Sequence, residues 1–144
     1  MRTLHKVVAY IVREKSGRRE LLTFTHRDFP EAGIQVPAGT VEDGEEIEAG
    51  LRREVVEETG LHDFDIVREV ATYNWVHPVT GNIHERHVFL IAAPTSTPDE
   101  WEWVETDGGK KPKLEGYVFR YGWADLANEI DLAGDLGDYL HAIR

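Results

Sequence analysis

The sequence predicts a mixed-sheet α/β fold, and three observations lead there. Segments rich in β-branched and aromatic residues lie both before and after one clear helix, Glu45–Thr59. A length of 144 residues suits one hydrophobic core and one domain, residues 1–144. No repeat, low-complexity tract or interdomain linker divides the chain.

The elements follow in order. Leu4–Arg13 reads as a strand, Ser16-Gly17 as a turn and Glu20–Thr25 as the returning strand of a hairpin. Pro30 and Gly33 make His26–Gly33 a loop, and Pro37 holds Ile34–Pro37 extended. Ala38–Gly44 is a loop. Glu45–Thr59 carries helix formers apart from Gly50, and Gly60 fits its C-cap. Asp65–Val76 and Arg86–Ala93 read as strands joined by a loop over His77–His84. Pro94–Lys113 reads as a long loop with a short strand at Trp101–Val104. Tyr117–Trp123 is a further strand, and Ala124–Asn128 and Asp138–Ile143 read as short helical pieces.

Composition narrows the function. The net charge of −11, from 27 acidic and 16 basic residues, argues against general nucleic-acid binding, which needs a basic face. It leaves room for a nucleotide, because divalent cations invert a local field. The absence of cysteine excludes disulfides, thiolate metal sites and cysteine nucleophiles. The apolar run Val7–Val12 is too short to span a membrane and no cleavage-site pattern follows it. A cytoplasmic protein without membrane partners is the expectation.

The helix carries the chemistry. At about 100° per residue, Glu54, Glu57 and Glu58 share one face, where like charges three and four apart repel. Ile47, Leu51 and Val55 form an apolar stripe beside Glu54 and Glu58. Carboxylates at the edge of a buried stripe need a compensating cation. Arg53 can pair with Glu57, but one arginine does not neutralise three acids. The residues alone leave two readings open: a solvated acidic face, or a site for a hard cation such as Mg²⁺ or Mn²⁺.

The spacing Gly39, five residues, Glu45, seven residues, then Arg53-Glu54-Val55-Val56-Glu57-Glu58-Thr59-Gly60-Leu61 resembles the Nudix signature, as in MutT-like hydrolases, at every fixed position. A chance match is on the order of 10⁻⁷. Gly50 stands where alanine is common in that family. The resemblance implies an α/β/α sandwich with a central mixed β-sheet and a loop–helix–loop metal site. It implies metal ligation by the Gly39 carbonyl and by Glu54, Glu57 and Glu58, with Arg53 orienting the carboxylates and Glu45 secondary. It further implies Mg²⁺-dependent attack of water at phosphorus, with Mn²⁺ as a substitute. A nucleoside diphosphate linked to X would yield a nucleoside monophosphate and phosphorylated X. Glu54 is the first candidate base and Glu115 the alternative from a downstream loop, ahead of Glu100, Glu102 and Glu105.

Arg27, Arg86 and His87 are the candidate phosphate contacts, with His77 and His84 behind them. Trp75, Trp101, Trp103 and Tyr117 could stack on a base or pack in the core. The competing function is a nucleotide-binding sensor of the same fold without turnover; such modules usually lose a glutamate of the signature, and this chain retains them all. Dimers are common among the proteins it resembles, so a homodimer is also an expectation.

Overall fold

The computed structural model describes residues 2–105 and 117–144. Its strands are β1 Thr3–Lys15, β2 Arg18–His26, β3 Ala38–Thr40, β4 Asp65–Val76, β5 Ile83–Ala92, β6 Trp101–Val104 and β7 Val118–Asp125. One α-helix, α1, spans Ile47–Thr59 among the described residues. The sheet is mixed, in the order β4-β5-β1-β2-β7-β6, with β3 paired to the first half of β1. The β1–β5 pair is parallel and the others are antiparallel.

Strand β1 lies at the centre and is covered on both faces, so Val7–Val12 is a continuous apolar run. Val7, Ala9 and Ile11 face α1 and pack with Leu51, Val55, Phe89 and Ile91. Val8, Tyr10 and Val12 face the other way, onto Leu126, Leu132, Leu140 and Ile143. Leu51 and Val55 are essentially inaccessible, and burying each contributes roughly 1.5–3 kcal/mol. That burial fixes the rotation of α1 and thereby the direction of its glutamates.

Several boundaries differ from the sequence reading. Ala124 and Asp125 belong to β7 because the ladder with β2 runs on to Glu20↔Asp125. A turn follows, in which the Asp125 carboxylate accepts the Ala127 N–H at 2.9 Å. The predicted helical piece there is absent. The one at Asp138–Ile143 is reduced to a 3₁₀ turn, Leu140–Ala142. The second layer over the sheet is therefore built of turns. Strand β5 begins at Ile83, because the hairpin with β4 closes at Val76↔Ile83. Within that hairpin loop the His77 ring nitrogen accepts the Val79 and Thr80 N–H groups, which occupies a residue considered for phosphate.

Candidate metal and phosphate site

Helix α1 starts two residues later than predicted, and the displaced Glu45 has a different task. Its carboxylate takes both Nε and Nη2 of Arg53, at 2.9 and 3.0 Å, and the Glu42 N–H at 3.0 Å. Those bonds hold the Glu45 carboxyl below the ordinary range, the Arg53 contact first. Arg53 also reaches Glu54 and Glu57, each at 3.1 Å, and donates to the Thr40 carbonyl at 2.9 Å. One guanidinium thus ties the β3 strand and the following loop to the helix, a use of five donors that lysine cannot reproduce.

Gly39 lies directly against this array. A Cβ on Gly39 would be 2.0 Å from the Glu54 carboxyl carbon, so the Glu54 side chain fills the space a side chain there would need. Gly50 has a similar explanation. A methyl group at that position would come within 2.9 Å of a Glu45 carboxylate oxygen and 3.1 Å of Val41. The helix accepts up to about 1 kcal/mol of glycine penalty and leaves the Glu45–Arg53 pair undisturbed.

Glu54, Glu57 and Glu58 are all buried, at 8%, 4% and 7% exposure, which rules out a solvated acidic face. Glu57 leans to Arg53. Glu54 and Glu58 converge with Glu105, each offering a carboxylate oxygen within 4.8 Å of the others. Glu58 accepts the Ala38 N–H at 2.8 Å. Even so, burial first, and then the charges of Glu54 and Glu105, hold its carboxyl well above the usual range. Three acids around a shared space, one of them reluctant to ionise, form an oxygen donor set suited to a hard divalent cation.

The last carbonyls of α1, which no helical N–H can reach, are met from the sheet. Trp103 Nε1 donates to the Glu57 carbonyl at 2.8 Å, Tyr121 to that of Glu58 at 2.7 Å and Trp101 Nε1 to that of Thr59 at 2.9 Å. The two tryptophans are thus anchors of the helix end rather than a base-stacking surface. Gly60, at φ 77°, closes the helix under the Trp103 ring. Replacing Trp103 with Phe is expected to cost about 1–3 kcal/mol by orphaning the Glu57 carbonyl, read as a lower midpoint in urea unfolding.

The candidate substrate residues are dispersed. Arg27 is exposed and pairs with Asp28 at 3.3 Å and Glu102 at 3.8 Å. Arg86 and His87 alternate on β5 and point to opposite faces of the sheet. Arg86 lies 4.9 Å over the Trp75 ring and pairs with Asp135 at 3.1 Å. On the same face are His84 and Lys6. Arg86 Nε and His84 Nδ1 are buried without a hydrogen-bond partner among the described residues. The Lys6 ammonium is held below its ordinary range by burial, then by Arg86, while Glu54 opposes the shift. The sequence reading missed Lys6; a lone cation leading into an apolar strand was its only signal. Glu115 lies outside the described residues.

Comparison with known proteins follows the same lines. A family model of the NUDIX domain matches residues 3–132. No curated protein matches the chain. Among solved structures, the C. elegans Ap4A hydrolase is similar at 19% identity and TM-score 0.65, covering 98% of this chain and 96% of that one. A MutT NUDIX hydrolase from Burkholderia pseudomallei gives 20%, TM-score 0.65 and full coverage of both chains. The NUDIX domain of Shewanella oneidensis NrtR, crystallised with ADP ribose, gives 17% and TM-score 0.67, covering 99% of this chain and 87% of that one. These likenesses are likenesses of fold.

Proposed function

The chain belongs to the NUDIX domain family, and with it to the pyrophosphohydrolases; we propose that it cleaves the diphosphate of a nucleoside diphosphate linked to a second group X, using Mg²⁺. The observation that carries this reading is the convergence of Glu54 and Glu58 with Glu105 beside Gly39. The residues fit a hard cation: the donors are oxygens, Glu54 and Glu58 are buried, and Arg53 is already engaged by Glu45. Glu54 and Glu58 would hold the ion, with Glu57 and the Gly39 carbonyl completing the set assigned from sequence; Mn²⁺ suits the same donors. Bound there, the ion would offset diphosphate charge and acidify the attacking water.

The remaining roles fall to the chain's own side chains. Arg53 keeps the carboxylates in place. Glu54 is the first candidate to take the proton of the attacking water, and Glu115 is the alternative from the downstream segment. Glu105 supplies a third carboxylate oxygen to the cluster. Lys6 and Arg86 are the phosphate contacts favoured here, since Lys6 senses the charge of both Arg86 and Glu54. Trp75, beneath Arg86, offers a ring face to a base or sugar. Arg27 is the secondary contact, and His87, whose ring nitrogens face Glu85 and Glu69, is the weaker of the sequence candidates.

The test is a panel of nucleoside triphosphates, nucleotide sugars, ADP-ribose and dinucleoside polyphosphates, each with Mg²⁺ and with chelator. The expected result is Mg²⁺-dependent release of a nucleoside monophosphate or phosphate from at least one compound class. Binding of several compounds without turnover of any would instead identify a sensor.

A further inference from the structure

A second cluster lies apart from the glutamates of α1. His5 on β1 and Glu85 and His87 on β5 share the face of the sheet on which Val7 packs. The parallel register sets His5 beside Glu85 and Val7 beside His87. His5 Nδ1 lies 3.3 Å from His87 Nε2, His87 Nε2 lies 3.3 Å from a Glu85 oxygen, and that oxygen lies 3.8 Å from His5 Nδ1. Lone-pair atoms this close need something between them, either the hydrogen-bonding proton of an imidazole N–H or a metal ion. The triangle they form has a point about 2.0 Å from all three atoms, the bond length of Zn²⁺ to imidazole and carboxylate.

We propose that His5, Glu85 and His87 form a second metal site, selective for a borderline dication such as Zn²⁺ rather than for Mg²⁺. Two imidazole nitrogens and one carboxylate oxygen are a Zn²⁺ donor set, whereas Mg²⁺ prefers oxygen throughout. The surroundings support the ligands. The other ring nitrogen of His87 faces Glu69 and Thr72 on β4, each at 3.5 Å. A carboxylate behind a ligating histidine fixes its tautomer and strengthens it as a donor. His87 is 11% exposed in its side chain, while His5 and Glu85 are 47% and 33% exposed, so an ion can enter from solvent and keep a position open for water.

The experiment uses the full chain with Mg²⁺ in saturating excess, to fill the carboxylate site proposed above. Co²⁺ is titrated against visible absorption, and Zn²⁺ against the imidazole ¹⁵N resonances. One equivalent of Co²⁺ should bind and be displaced by Zn²⁺, and Zn²⁺ should move the His5 and His87 resonances. His5→Ala should abolish this binding, and Glu69→Gln should weaken it about 10–100-fold. Glu58→Gln should leave it unchanged. Imidazole resonances of the wild-type chain that do not respond to Zn²⁺ would overturn the proposal in favour of a shared proton. Undiminished Co²⁺ binding by His5→Ala would overturn it as well.

Discussion

Glu58→Gln is expected to lower kcat/KM about 10²–10³-fold, the scale of losing one preorganised charged group, while raising the stability of the metal-free protein. The two effects have one cause. The Glu58 carboxyl is buried and faces Glu54 and Glu105, so its ionised form is disfavoured in the folded chain. The amide can still accept the Ala38 N–H, but it adds no charge to the cluster. Because the folded carboxyl ionises at higher pH than the unfolded one, the native state holds more protons across the window above pH 4.5. Stability of the metal-free wild type should therefore fall as pH rises through that window, and Glu58→Gln should flatten the slope. Thermal melts in chelator between pH 5 and 8, together with Mg²⁺-dependent turnover, check both parts. A variant that is less stable than wild type at pH 8 would contradict the account of Glu58.

Gly39→Ala is the second large effect. The new methyl group would lie 2.0 Å from the Glu54 carboxyl carbon, well inside any allowed contact. Either β3 moves away from β1 or Glu54 leaves its place beside Arg53. Overpacking of this kind costs about 1–3 kcal/mol. Displacement of a proposed metal ligand by an ångström or more should reduce turnover at least about a hundredfold. Denaturant melts and turnover of Gly39→Ala separate the two. A stable and fully active variant would show that Glu54 need not occupy the position seen here.

The helix and its acids were legible because both depend on short-range spacing. The period of Ile47, Leu51 and Val55 fixes the buried stripe, and Glu54 and Glu58 are carried along with it. Burial of all three acids then decided between the two readings that spacing left open. Other features depend on register between distant strands, which one chain of letters does not encode. The pairing of Lys6 with Arg86, and of His5 with Glu85, arises from the parallel β1–β5 ladder across some eighty residues. The assignment of Trp101 and Trp103 to helix carbonyls arises from the return of β6 beneath α1. The helical piece expected at Ala124–Asn128 is absent for a related reason: pairing with β2 extends β7 through Ala124 and Asp125 regardless of local preference.

The polarity of α1 has a consequence of its own. Its aligned peptide dipoles place roughly half a negative charge at the C-terminal end, where Glu57 and Glu58 also lie and no basic residue occupies the last turn. The helix is thus assembled against its own macrodipole, with indole and phenol donors offsetting part of the cost. A cation bound among these carboxylates would be attracted by the dipole end as well as by the side chains. Part of its binding free energy would then appear as cohesion of the helix end, coupling metal occupancy to the integrity of the last turn.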